Sequence, residues 1–135
     1  MLRCLIDTNT LIDIVVAERP RHDDAVRIVA LQKLGSAYSF GVFLPTLKDV
    51  YYVIERHYGD ERFARKCVEL LFEVFEPIPL DKRVFEKALS NDEPDLEDGF
   101  VRAAAEASGC DAIISRDARA FATSRCRGIE PCDLL

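Results

Sequence analysis

The chain has 135 residues, 49% of them hydrophobic, with a net charge of −6. A chain of this length buries roughly two-thirds of the surface it exposes when unfolded, so residues 1–135 are expected to form a single domain with its own core. No apolar run approaches the ~18 residues of a membrane span, and MLRCLIDTNTLID reaches an aspartate too early for a secretory signal, which predicts a cytoplasmic protein.

Arg3-Cys4-Leu5-Ile6-Asp7 is a short apolar run closed by a polar residue, the pattern of a fully buried strand, and TNTLIDIVVA continues it with helical spacing. Residues 23–35 open on Asp23 and close on Gly35, the usual punctuation of a helix. Residues 37–44, AYSFGVFL, are aromatic and β-branched and predict a second strand. Leu47, Val50, Val53 and Ile54 mark one face of a helix over 46–59, and Phe63, Cys67, Leu70, Leu71 and Val74 repeat that pattern over 60–76. PIPLD (77–81) reads as an edge strand, because proline cannot donate to a central ladder. Residues 81–90 form a short helix, 96–108 a helix of small residues closed by Gly109, 110–115 a buried strand and 128–131 a last strand. Strands alternating with helices predict an α/β fold around a mainly parallel sheet, in which functional side chains gather at the carboxyl ends of strands. Asp7 and Asp117 each follow such a strand and should emerge on the same edge.

Chemistry concentrates in the acids. Asp7 at the tip of a buried strand is costly unless it is hydrogen-bonded, paired or bound to a cation; capping the following helix is the simpler reading. Thr46-Leu47-Lys48-Asp49 and Asp95-Leu96-Glu97-Asp98 are both spaced like capping boxes, and Asp117 after Ser115-Arg116 can also cap, with a helical segment expected over 118–122. Residues 92–98 nevertheless hold five acids and no base, a density that repels itself unless solvated or neutralised by cations. Four carboxylates, two at strand ends and two in first helical turns, can meet at one sheet edge, and oxygen-only ligands suit Mg²⁺ or Mn²⁺ rather than zinc. The acidic balance counts against a nucleic-acid binder, unless much of the negative charge lies in a pocket that divalent cations occupy. Cys4, Cys67, Cys110, Cys126 and Cys132 are odd in number and show no CxxC spacing, so neither a disulfide framework nor a zinc site is expected.

LIDTNTLID and DLEDGFVRAAAEASGCDAIISRDARAF, together with a mid-chain acid on a helix, resemble the PIN-domain family, which includes the VapC-type toxins of bacterial toxin–antitoxin pairs. The resemblance runs from Ile6 to about Phe121. It implies a three-layer α/β/α sandwich and metal-assisted hydrolysis of RNA. It places Asp7, Asp98 and Asp117 on the family's metal-binding acids and Asn9 and Ser115 on its polar helpers, with Asp95 as a further ligand. Asp49 departs from the family's usual glutamate; its carboxylate, one methylene shorter, would orient water or a second ion. Arg116, or Arg119, would reach the phosphate backbone. The resemblance also implies a homodimer and an antitoxin that covers the acidic pocket. His22 and His57 lie away from the acids and receive no catalytic role. Two alternatives stand beside this reading. One is a phosphotransfer fold, for which Asn9 breaks the DxD of a haloacid dehalogenase and Asp49 precedes a helix instead of ending a strand. The other is a PIN-like domain with weakened catalysis serving as an RNA- or protein-binding module.

Overall fold

The computed structural model describes residues 1–117 and 119–134. β1 (Leu2–Ile6) is followed by α1 (Thr8–Val15), α2 (His22–Leu34), β2 (Tyr38–Phe43), α3 (Leu44–Tyr58), α4 (Glu61–Val74) and β3 (Glu76–Ile78). The second half holds α5 (Lys82–Ser90), α6 (Leu96–Ala107), β4 (Ala112–Ile114), β5 (Arg127–Ile129) and a short 3-10 turn, Pro131–Asp133. The strands form one sheet in the order β3-β2-β1-β4-β5, with every pairing parallel.

Both faces of that sheet are buried, and the period of two along each strand sorts its side chains between them. Cys4 and Ile6 of β1, Phe40 and Val42 of β2 and Ala112 and Ile114 of β4 join the core beneath α1 to α4. Leu5, Phe43 and Ile113 point into the other core, against Val84 and Ala88 of α5 and Val101, Ala104 and Ala105 of α6. The result is the expected three-layer α/β/α sandwich around a parallel sheet.

Local chemistry ends the elements where the sequence punctuates them. Asp60, Asp81 and Asp95 cap α4, α5 and α6, their carboxylates accepting from the amides of Phe63 (3.0 Å), Val84 (2.9 Å) and Glu97 (2.8 Å). α3 ends at Gly59, whose left-handed φ of 64° lets its amide close on Glu55 O at 2.8 Å. The short strand carrying Pro77 lies at the sheet edge, as a proline-bearing strand must.

Two expectations fail. α3 begins at Leu44-Pro45, not at residue 46, because a proline in the first turn has no amide left to pair. Thr46 therefore caps nothing; its hydroxyl donates to Phe43 O at 2.7 Å, and Asp49 sits a full turn inside the helix. The helix expected after Asp117 is a series of turns over residues 119–123, with Ala118 outside the described residues. Phe121, buried at a φ of 66°, is incompatible with helix there.

Asp92 and Glu93, which a solvated loop would explain, are instead neutralised within the chain. The largely buried Arg102 guanidinium holds Asp92 at 2.5 Å, Glu93 at 2.9 Å and Glu106 at 2.9 Å, and also donates to the Thr123 hydroxyl at 2.9 Å. A base that lies beyond the acidic segment in sequence thus neutralises its first half and ties it to α6 and the turns after Asp117. All five cysteines are free, four of them buried, and burial pushes the Cys4 thiol up to about 12.

α6 crosses α5 closely at Gly99, next to Asp98. A Cβ there would meet Ala88 O at 3.1 Å and Asn91 Oδ1 at 3.2 Å, while Asn91 Nδ2 donates to Gly99 O at 3.0 Å. Alanine gains about 1 kcal/mol of helix propensity over glycine, but overpacking against a backbone carbonyl costs about 1–3 kcal/mol. Gly99→Ala is therefore expected to destabilise the fold by roughly 1 kcal/mol, read as a lower urea midpoint with an unchanged slope.

Candidate active site

The sheet order fixes where a site can form. The chain winds from β1 outward to β2 and β3, then returns to place β4 on the other side of β1, so the topology reverses between β1 and β4. Crevices at the carboxyl ends of strands flanking such a reversal are the usual ligand sites of open parallel sheets. Asp7 leaves the end of β1 and Ser115 the end of β4. Their strands stay zipped to that point, with Asp7 N donating to Ile114 O at 2.9 Å.

A cleft of about 420 Å³ opens there, lined by Asp7, Thr8, Asn9, Asp49, Asp95, Glu97, Asp98, Ser115, Arg116 and Asp117, with apolar walls from Ile12, Val53, Val101 and Ala120. Six carboxylates thus face one guanidinium. Eight of the residues singled out from sequence line this cleft, Asp7, Asn9, Asp49, Asp95, Asp98, Ser115, Arg116 and Asp117, whereas Arg119, offered beside Arg116, is not part of its lining.

Their contacts differ. Asp7 caps α1 through its Oδ1, which accepts from Thr8 N at 2.8 Å, and its Oδ2 accepts from the Ser115 hydroxyl at 3.0 Å. Capping and site membership are therefore compatible in one side chain. Ser115, itself buried, also accepts from Asp117 N at 3.1 Å, so one hydroxyl ties the two strand-end acids together. Asp117 Oδ1 accepts from Arg119 N at 3.1 Å. Asp95 is the N-cap of α6, and Glu97 and Asp98 occupy its first turn, where the helix dipole favours negative charge. Asn9 is exposed on the first turn of α1, and among the described residues it makes no hydrogen bond to an acid.

Burial first, and then the charges of Asp7, Asp95, Glu93 and Asp117, push the Asp98 carboxyl from its usual 3.8 up to about 6. Burial also raises Asp7; the Thr8 amide and the Ser115 hydroxyl pull it back, Asp117 raises it again and Arg116 opposes. Glu97 is raised by burial and by Asp49, Asp95 and Asp7. The acids do not collapse onto a point. Among the described residues, three ligand atoms come within 4.8 Å of one another only at Glu130, Cys132 and Asp133 near the C-terminus, away from the cleft.

Two contributors escaped the sequence reading. Glu97 lines the cleft beside Asp98; its neighbourhood in an acidic run gave no ground for choosing it over the others. Asp13 is fully buried in α1, and its Oδ1 accepts from Arg19 Nε at 2.6 Å and from Arg116 at 3.4 Å, leaving Oδ2 without a partner. It anchors the one cation of the cleft. An acid inside Leu11-Ile12-Asp13-Ile14, on an otherwise apolar helix face, was the available signal.

Residues 3–119 match the PIN-domain family. The chain belongs to that family. No curated protein matches it significantly. Among solved structures, this PIN domain is similar to VapC20 of Mycobacterium tuberculosis, described as a sarcin–ricin-loop-cleaving toxin, with 17% identity, a TM-score of 0.71 and coverage of 89% of this chain and 94% of that one. A toxin–antitoxin complex from Klebsiella pneumoniae shares 21% identity at a TM-score of 0.70, covering 97% and 99% of the two chains. VapBC2 of Rickettsia felis, bound to promoter DNA, shares 9% identity at 0.70 over 96% and 98%. At these identities the likeness is one of fold: the PIN domain is built as VapC toxins are. Among the described residues, no helix is long and apolar enough to cross a membrane.

The raised Asp98 carboxyl couples stability to pH. Between its unfolded value of 3.8 and its folded value of about 6, the folded chain holds a proton that the unfolded chain has lost. The Asp98 charge therefore destabilises above about pH 6, and that penalty is fully relieved below about pH 4. Asp98→Asn in chelator is expected to raise Tm at pH 7.5 by roughly 3 °C, the shift of about 1 kcal/mol in a domain this size once solvent screening is allowed for. Paired melts should show no gain at pH 4; a fall at pH 7.5 would contradict the electrostatic account.

Proposed function

We propose that this PIN domain is a divalent-metal-dependent endoribonuclease, the toxin of a VapBC-type pair. The observation that supports this most is the convergence of six carboxylates on one cleft at the reversal point of the sheet, against a single guanidinium. Such a set is costly without compensating positive charge, and its ligand atoms are all oxygen, the chemistry of Mg²⁺ or Mn²⁺. Asp7, Asp98 and Asp117, with Asp95 beside them, would hold the ion. When bound, it lowers the pKa of coordinated water and offsets charge on the phosphoryl oxygens of RNA.

The remaining work falls to the chain's own groups. Ser115 orients Asp7 through the 3.0 Å bond and steadies the backbone at Asp117, as groups behind metal ligands commonly do. Asp49 projects from α3 into the same cleft, where its carboxylate can accept the proton of an attacking water. Arg116, tethered on one side to Asp13, offers its other N–H groups to a phosphate. With Asp98 titrating near 6, metal must displace a proton below that value, so metal affinity and cleavage should both fall as pH drops through it. A homodimer, cytoplasmic residence and a cognate antitoxin over the cleft complete the proposal; the Klebsiella and Rickettsia structures, described as toxin–antitoxin assemblies, support that partner.

Asp49 favours a second reading, a binding module with weakened catalysis, because its shorter side chain stands where the family usually has glutamate. The purified protein is expected to cleave RNA with Mg²⁺ or Mn²⁺ and not in chelator. Ser115→Ala should cost roughly 10–100-fold in rate and Asp7→Asn more than that, with Mn²⁺ binding lost by calorimetry. Asp49→Glu should raise the rate if the shorter side chain limits it. Retained RNA binding without metal-dependent cleavage in both the wild type and Asp49→Glu would select the binding module instead.

A further inference from the structure

Beside the acidic cleft lies a second, smaller recess of about 120 Å³, lined by Thr8, Phe43, Pro45, Thr46, Asp49, Leu80, Glu97, Phe100 and Val101. It shares Thr8, Asp49, Glu97 and Val101 with the cleft, so the acidic cleft and this more apolar recess adjoin across those residues. Its walls come from five places that only the fold brings together: the start of α1, the end of β2, the start of α3, the segment after β3, and α6. Phe100 is half-buried and rests edge-on against Phe85, ring centres 5.0 Å apart at 76°, while Leu80 is 40% exposed at the mouth.

Three of the four polar side chains at the rim only accept, while the Thr8 hydroxyl can donate or accept. The Thr46 hydroxyl has its proton committed to Phe43 O at 2.7 Å, so toward the recess it can only accept. Asp49 and Glu97, when ionised, also only accept. An occupant must therefore be small and flat enough for the volume, apolar on its faces and furnished with N–H donors on its edge. It must also belong to the molecule lying in the acidic cleft. A nucleobase meets each condition: unstacked bases of single-stranded RNA pack on aromatic and apolar side chains and are read along their edges, and carboxylates accept from exocyclic amino groups.

We propose that this recess is a nucleobase subsite, which receives a base flanking the scissile phosphate and favours amino-bearing bases over uracil. The proposal rests on the ribonuclease reading above, with the recess supplying sequence preference to a cleft whose acids have none.

Two measurements with the full chain separate the two ideas. In the first, a short RNA carrying fluorescent 2-aminopurine beside the cleavage position is titrated with protein. Its emission is expected to change on binding, and that change should be lost in Leu80→Trp, where the indole fills the mouth, and weakened in Phe100→Ala. In the second, wild-type protein is expected to cleave RNA with a natural base at that position roughly ten-fold faster than its abasic counterpart, with KM carrying most of the difference. Leu80→Trp should cut both alike. Thermal melts confirm that each variant folds; Leu80 is exposed enough to accept the larger ring. Equal cleavage of the natural and abasic RNAs by wild-type protein overturns the subsite and leaves the nuclease intact. So does a 2-aminopurine signal indifferent to both variants. A variant-sensitive signal with no cleavage of any RNA supports the subsite and overturns the nuclease.

Discussion

Like charges that cannot move apart govern this molecule. Parallel pairing of β1 with β4 brings Asp7 and Ser115 to the same end of the sheet, and the hydrogen bond from Asp7 N to Ile114 O leaves no slack between them. α3 and α6 then deliver Asp49, Asp95, Glu97 and Asp98 to that end. The buried cores on either side of the sheet hold these elements in place, so repulsion within the cleft cannot relax by spreading the backbone. Burial first, and that repulsion after it, raise the Asp7, Glu97 and Asp98 carboxyls. The fold carries this electrostatic cost in its most central crevice.

The chain handles acidic crowding in two ways, and the contrast separates scaffold from site. Asp92, Glu93 and Glu106 surround Arg102, which is largely buried and saturated with acceptors. That network is closed: it ties the start of the acidic segment to α6 and the turns after β4, and leaves little for a ligand. The acids a few residues further on line a cleft whose lining base, Arg116, is itself engaged by Asp13. A buried acid with one free oxygen, Asp13, thus serves an arginine that faces the cleft, whereas the outer acids share an arginine that does not. The same composition, a run of carboxylates, becomes structural glue at one end and an open anionic site at the other.

The net charge of −6, which argued against a nucleic-acid partner, takes on a different meaning once placed. Six carboxylates sit together in one cleft, so the negative balance is concentrated where a cation could stand between protein and phosphate.

Much of this was legible from residue order. Alternating apolar runs and helical spacing determined an α/β fold with a parallel sheet. Pro77 marked the edge strand, and the capping-box spacing from Asp95 marked the start of α6. The strand-end positions of Asp7 and Asp117, the acids at the start of α6 and the family motifs named the side chains that the cleft gathers. Other features depended on contacts between residues far apart in the chain. Nothing local says that Arg102 neutralises Asp92, that Asp13 holds Arg116 across 103 positions, or that Phe121 turns through a left-handed backbone instead of continuing a helix. Nor could spacing reveal that Phe43, Thr46, Leu80 and Phe100 close one recess beside the acids. Periodicity and capping are written within a few residues of where they act, so the sequence by itself determined the elements and the acids they carry. Which charge finds which counter-charge, and which apolar side chains share a wall, depends on how the layers pack, and only the tertiary structure decided it.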